Sequence, residues 1–439
     1  MKPRLVPLYF DPGRDEGFDT QMAHIRRLIG NNVELLDPVP LGAQIPDAEA
    51  VLFPQILGEA YRCLDAFQAI KIPILIVTDE SGTIAMWDWE ITEYLRGEGV
   101  STLAPYDLSL TKKIVAALRV KRELASAKFV VFQDDPGQGA QAPIFKRFYW
   151  WEDECTQRMA DKFGVTIEKR SFRELGAKAK QISDDAAQHE WDAWQWQEET
   201  VSGSPLLSAV KIYLAVKEHL DADPNIRSVG INCLNESHFS DTTPCLAWAR
   251  LFEERGMMWG CEADTMSMLS KYVLHKSLDV PILMTNLYPF VLGQAALKHE
   301  RIPAFPAVEG DPDNHILIAH CGFMGVIPRA FATRWSLKNK ALAIVDDNAT
   351  AIDADLPTGP MTLAKLHPSM QKMTVAEGDL TGYSQFPGSD CLNGGVVKVG
   401  DGLKLMRSVA SHHYLLTMGH NLNDIRTIAG VFGIEIEEI

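Results

Sequence analysis

The sequence predicts an α/β protein: two Rossmann-like domains with parallel sheets, followed by a β-rich C-terminal domain. Three observations carry this. The first third alternates short β-branched runs ("RLVPLYF", "VELLD", "AVLFPQI", "IPILIVT") with amphipathic stretches at 58–69, 85–97 and 107–125, and that alternation marks a parallel sheet with covering helices. A second unit of the same kind begins at "KFVVFQDD" (128–135) and continues through "VTIEKRSF", helices over 172–188 and 205–221, and "RSVGINCL". From about residue 281 the runs become short and turn-punctuated, as in "HILIAHCG", "LAIVDD", "GPMTLAKLHP", "QKMTVAEGDL" and "GGVVKVG", the pattern of a mostly antiparallel domain.

The boundaries that follow are 1–125, 126–285 and 286–439, with the charged helix 107–125 linking the first two domains and a terminal helix over 421–432. A chain of 439 residues is too long for one ordinary core and suits two or three. Its net charge of −16 repels polyanions, so nucleic acid and anionic membranes are not expected partners. No apolar run approaches the length of a membrane span. The N-terminus "MKPRLVPLYFDP" meets Asp11 and Pro12 too early for a signal peptide. Seven scattered cysteines without a CxxC pair suit a reducing cytoplasm. The aromatic, acidic clusters "FYWWEDE" (148–154) and "EWDAWQWQEE" (190–199) are expected to pack helices or a subunit partner, with a sugar platform as the sharper alternative.

There is no Walker loop, GxGxxG after a strand, GxSxG elbow or HExxH, which removes the commonest nucleotide, hydrolase and zinc-protease readings. What remains is a set of polar residues at the ends of apolar runs. "GMMWGCEADTMSML" places Glu262 and Asp264 just before a helix, where both carboxylates meet the positive end of its dipole or simply cap it. "DVPILMTNLYPF" reads as a buried strand ending at Asn286, and "NHILIAHCGFMG" sets His320 at the end of another. "ASHHYLLTMGHNLNDI" carries His412, His413 and His420. If 412–418 is a strand, His412 and His413 face opposite sides and at most one enters a site. Both faces are apolar, so periodicity does not choose between them.

These segments resemble the L-fucose isomerase and L-arabinose isomerase family of metal-dependent aldose–ketose isomerases. The resemblance covers the chain in outline and is most specific from about residue 228. "HHYLLTMGHNLNDIRTIAGVFGIEI" is similar to the family's C-terminal histidine segment, and a His seven positions before a Gly-His pair falls on His413. "GCEADTM" resembles the segment of the first carboxylate ligand, which falls on Glu262; "ILIAHCGFMG" resembles a strand with a further metal-binding histidine, which falls on His320. The second family carboxylate aligns with Asn286, 24 positions after Glu262 (286 − 262 = 24). An amide oxygen can coordinate a hard cation but cannot take a proton at neutral pH. Asp264, Glu309, Asp311 and Asp313 are the carboxylates nearest in sequence that could substitute.

The resemblance implies a metal centre of Glu262, Asn286, His320 and His413, with Glu262 and Asp264 as catalytic carboxylates and His412 and His420 as substrate contacts or structural residues. The chemistry is self-consistent. Interconverting an aldose and a ketose moves a proton between neighbouring carbons, which needs an electrophile and a base. A mixed oxygen and imidazole site suits Mn²⁺, with Co²⁺, Fe²⁺ or Zn²⁺ also possible. The substrate implied is a pentose, deoxyhexose or related sugar, and the assembly a homo-oligomer, trimer or hexamer. Asn286 motivates two alternatives: a metal-dependent epimerase or lyase, and a non-catalytic sugar-binding relative.

Overall fold

The computed structural model describes residues 1–10, 13–134, 152–196, 201, 203–233, 239–289, 304, 307–320, 323–339, 349–386 and 393–439. The chain divides into two compact units: Met1–Ala125 with Lys276–Asp279 and Asn423–Glu435, and Ser126–His275 with Val280–Leu422 and Ile436–Ile439.

In the first unit, the apolar runs form β1 (Arg4–Tyr9), β2 (Glu34–Leu35), β3 (Val39–Pro40), β4 (Ala50–Phe53), β5 (Ile74–Ile76) and β6 (Thr102–Leu103). They lie in the order β2-β1-β4-β5-β6, with β3 beside the end of β1, and every pair is parallel. Every residue of β4 and β5 is buried, as expected of strands covered on both faces. The helices are α1 (Glu16–Ile29), α2 (Leu64–Gln68), α3 (Asp88–Gly97) and α4 (Leu108–Leu124). α1 shows why they form. Asp15 caps its first turn by accepting from the Phe18 N–H, acidic residues open it and arginines close it, and Phe18, Met22, Ile25 and Ile29 make one buried stripe.

The second unit begins with another parallel sheet, β7 (Lys128–Phe132), β8 (Thr166–Arg170), β9 (Ile226–Ile231) and β10 (Met258–Gly260), in the order β10-β9-β7-β8. Its helices are α5 (Asp153–Phe163), α6 (Phe172–Gln181), α7 (Asp184–Trp194), α8 (Ser204–Ala222), α9 (Cys245–Arg255) and α10 (Thr265–Leu278). The single helix expected over 172–188 is thus two. Ile182 is extended and Ser183 caps a new helix by accepting from the Ala186 N–H. Trp191, Trp194 and Trp196 are buried and interlock edge to face with one another and with Tyr213 and Trp335, while Arg250 lies over two of the indoles. These three tryptophans serve packing. Residues 148–151 of the other aromatic cluster lie outside the described residues.

The remaining strands are β11 (Ile282–Pro289), β12 (His315–Ala319), β13 (Arg334–Asn339), β14 (Thr350–Asp355), β15 (Gly359–Leu366), β16 (Lys372–Ser384), β17 (Gly394–Val399), β18 (His413–Met418) and β19 (Glu435–Glu438). Six of them form an antiparallel barrel-like sheet, β15-β18-β11-β12-β17-β16, closed by β16 pairing back to β15. The long β16 makes closure possible. Its first part pairs with β15 and its second with β17, with a register shift between Leu380 and Gly382 that bends the strand from one neighbour to the other. Closure removes edges that would otherwise invite foreign strands. β19 lies beside β16, and β13 and β14 form a separate antiparallel ribbon. The run "LAIVDD" falls outside the described residues. α11 (Gly402–Arg407) precedes β18, and α12 (Leu422–Val431) follows it.

One placement differs from expectation. β11 does not end at Asn286 on the edge of a parallel sheet; it runs on to Pro289 as a barrel strand, antiparallel to both neighbours. Asn286 is therefore in mid-strand, directly between His413 of β18 and Ala319 of β12.

Candidate metal centre

The site is assembled where β10 turns into α10 beside β11 and β18. After Gly260 the backbone makes a tight turn in which Glu262 and Ala263 both take left-handed conformations, each with φ of 55°, uncommon for residues with a side chain. Gly260 admits the turn because a Cβ there would meet Met268 Cγ at 2.4 Å. The turn buries the Glu262 carboxylate, and its backbone N–H donates to Cys233 Sγ at 3.3 Å.

Glu262, His412 and His413 form a group that could hold a metal ion, each offering one ligand atom, with these atoms all within 4.8 Å of one another. His413 Nε2 lies 3.7 Å from Glu262 Oε1. The two adjacent histidines enter the same group because β18 starts at His413. His412 sits in a bend before the strand, so strand alternation does not apply to it. The ring centroids of His412 and His413 are 4.1 Å apart.

Behind His413 lies Asp264. Its Oδ2 accepts from His413 Nδ1 at 2.8 Å, from Ser267 Oγ at 2.8 Å and from Lys365 Nζ at 3.3 Å, while Oδ1 accepts from the Ser267 N–H at 2.8 Å. Lys365 also donates to Ser267 Oγ at 2.9 Å. Asp264 caps α10, as the sequence indicated, but its oxygens are engaged on the protein side rather than turned towards Glu262.

Burial favours the neutral form of each acid, yet local charge overrides it. Burial pushes the Glu262 carboxyl up, and His413, with His320 and His412 beyond it, outweighs that and holds it at about 2. Burial likewise raises Asp264, but Lys365 and His413 keep it far below the usual carboxylate range. Burial lowers His413, but Glu262 and Asp264 lift it to about 9; His412, lowered by burial and by its charged neighbour, lies at about 3. An ionised carboxylate, a neutral imidazole and a second imidazole that is oriented by a carboxylate and would give up its Nε2 proton when a cation binds form a donor set that fits a divalent ion. Asn286 adds to the fit. It faces His413 across the ladder, where paired side chains share a face. Its Nδ2 donates to the Tyr288 hydroxyl at 3.2 Å, while its buried Oδ1 has no hydrogen-bond partner among the described residues.

The other expected residues fall as follows. His320 is fully buried and its ring stacks on that of His413, with centroids 5.3 Å apart and 21° between planes, but it is not a member of the ligand-spaced group. His420 is at the opposite end of β18, exposed, with Nε2 3.2 Å from the Gly378 carbonyl oxygen; it is not part of this cluster. Glu309, Asp311 and Asp313 precede β12, at the end opposite His320, and are exposed. They do not stand in for the missing carboxylate. Sequence reasoning missed Lys365 and Ser267, and nothing in "TLAKLHP" marks its lysine as buried.

No family model matches the chain, and no curated protein matches it. Among the described residues, no helix is long and apolar enough to cross a membrane.

Proposed function

We propose that this protein is a metal-dependent aldose–ketose isomerase acting on a pentose, deoxyhexose or related sugar, with the two parallel-sheet regions as Rossmann-like domains and Mn²⁺ as the working ion. The observation that carries the reading is the buried Glu262–His412–His413 group, backed by Asp264 and lying in segments that resemble the L-fucose and L-arabinose isomerases.

When bound, a divalent cation supplies electrophilic catalysis, drawing charge from the carbonyl and adjacent hydroxyl oxygens of an open-chain sugar. His412 and His413 hold the imidazole side of the site, and Asp264 keeps the His413 ring turned correctly. Glu262 is the carboxylate of the ligand-spaced group. Its histidine neighbours outweigh burial and leave it ionised, so it would take the proton from one carbon of the sugar and return it to the neighbouring carbon of the enediol. Burial excludes bulk water and strengthens these electrostatic effects. The same resemblance implies a homo-oligomer, trimer or hexamer, and the scattered cysteines without a CxxC pair suit the cytoplasm.

One observation favours a second reading. Asn286 cannot shuttle a proton and is held by the Tyr288 hydroxyl, which suits an epimerase or lyase with a different base, or a sugar-binding relative without turnover. The deciding experiment incubates protein and Mn²⁺ with a panel of aldoses in deuterium oxide. The isomerase reading expects exchange at C2 and ketose formation for one sugar class. Shorter fragments or a C2 epimer would move the assignment to the second reading, and saturable binding without exchange would make the protein a binder.

A further inference from the structure

The buried Lys365 has no place in the isomerase reading above, yet it is built into the same cluster. Its Nζ is 3.3 Å from Asp264 Oδ2 and 2.9 Å from Ser267 Oγ, and the two charged side chains are 1% and 0% exposed. Lys365 comes from β15 and Asp264 from the cap of α10, 101 residues apart. A lysine sealed in a barrel strand with an aspartate costs desolvation on both sides. Its retention calls for a role.

Donor counting supplies one. Lys365 Nζ donates to both Asp264 Oδ2 and Ser267 Oγ, and the Ser267 backbone N–H has only a hydrogen to give. Asp264 Oδ2 therefore accepts from Lys365, and Oδ1 accepts from the Ser267 N–H. A carboxylate committed to accepting on both oxygens has no hydrogen to offer the remaining neighbour, His413 Nδ1, which must itself be the donor at 2.8 Å. With the proton fixed on Nδ1, Nε2 is left on the side of Glu262.

We infer that Lys365, acting through Asp264, is a positioning residue that locks His413 in its Nδ1–H form and so reserves Nε2 as a metal ligand. This rests on the metal centre proposed above. An amide at 264 does not reproduce the lock, because either orientation sets its NH₂ against Lys365 or against the Ser267 N–H. The backing of a ligand imidazole by a carboxylate is general; the buried cation behind that carboxylate is the feature of this chain.

The test uses full-length protein labelled with ¹⁵N-histidine and loaded with ¹¹³Cd²⁺ as the probe metal. The expected result is a cadmium–nitrogen coupling to Nε2 of His413 while Nδ1 retains its proton. In Lys365→Met the Nδ1–H signature weakens, a second tautomer appears and Cd²⁺ affinity falls about 10- to 100-fold; Lys365→Arg recovers the signature. Coupling through Nδ1 in the unmodified protein overturns the inference, as does wild-type affinity and spectrum in Lys365→Met. If Lys365→Met does not fold, Lys365→Gln, which can still donate to Asp264 but carries no charge, is read in the same way, and an unchanged Nδ1–H signature and Cd²⁺ affinity in it overturns the inference. Failure of Cd²⁺ to bind at all sinks the metal centre itself, and is distinguishable from binding through the wrong nitrogen.

Discussion

Two buried aspartates in the second unit are each gripped by two basic groups, and they differ in where those groups come from. Asp353, on the β13–β14 ribbon, is 3% exposed but is reached from solvent by Arg334 at 2.9 Å and Lys338 at 2.5 Å, whose side chains are more than 40% exposed. Asp264 is held by Lys365 and His413, both sealed in the interior. The ribbon pairs can open and rehydrate at little cost, and such bonds contribute modestly. The Asp264 cluster cannot. Loss of one member leaves an uncompensated charge in low dielectric. The comparison teaches that the same ionic vocabulary serves as a surface clasp in one place and as a rigid frame in the other.

Glu262→Gln breaks the framed site most directly. It is expected to lower Mn²⁺ or Cd²⁺ affinity by at least about 100-fold, beyond the usual cost of losing an outer-shell partner, with native circular dichroism; titration calorimetry reads the change. Next comes Lys365→Met, expected to destabilise by about 3–5 kcal/mol in urea unfolding. A loss no greater than that of the ribbon variant below would erase the contrast.

Lys271 sharpens the comparison from the other side. Its ammonium lies 3.7 Å from the Trp259 ring centroid and donates to the Trp259 carbonyl at 3.0 Å. Burial lowers it to about 7, although Cys261 and Asp264 pull the other way. A folded-state pKa below the ordinary lysine value means that the folded chain binds fewer protons than the unfolded one between about pH 7 and the ordinary value near 10.4. Stability from this group therefore rises with pH across that window. Lys271→Met should be the more stable protein at pH 6, by about 1–2 kcal/mol, with the gap closing towards pH 10; thermal unfolding across pH checks it.

The smallest effect belongs to Lys338→Met, expected to cost less than about 1 kcal/mol and to fade at high salt. Burial raises the Asp353 carboxyl, but Arg334 and Lys338 together hold it below its ordinary value. Its contribution is complete above the unfolded pKa near 3.9 and is lost as the pH falls through the depressed folded value. Acid unfolding should begin at slightly higher pH in this variant.

Much of the architecture was legible because period and length report burial locally. The longer parallel strands of residues 4–103 are buried apolar runs separated by helical stretches, and β15, β17 and β18 are short, largely buried runs between turn signals. Segment resemblance singled out Glu262 and His413, which the fold brings into one ligand-spaced group. Closure of the barrel was not, since pairing of β15 with both β16 and β18 is a property of register rather than composition. Lys365 shows the limit most clearly. In a strand, a lysine reads as solvent-facing, and only an aspartate 101 residues earlier makes its burial tolerable. The grouping of His412 with His413 was not legible for a smaller reason: the strand begins one residue later than alternation over 412–418 requires.

The left-handed pair at Glu262 and Ala263 has a consequence for how firmly the Glu262 carboxylate is held. Such conformations cost of order 1 kcal/mol each and persist only when their surroundings over-determine them. A carboxylate mounted on so constrained a turn has little freedom to advance or retreat around a guest. Where donors are rigid, ions are sorted by radius as well as by charge. The chain thus accepts a standing conformational penalty at the turn between β10 and α10, and a cation held by Glu262 would be sorted by its size.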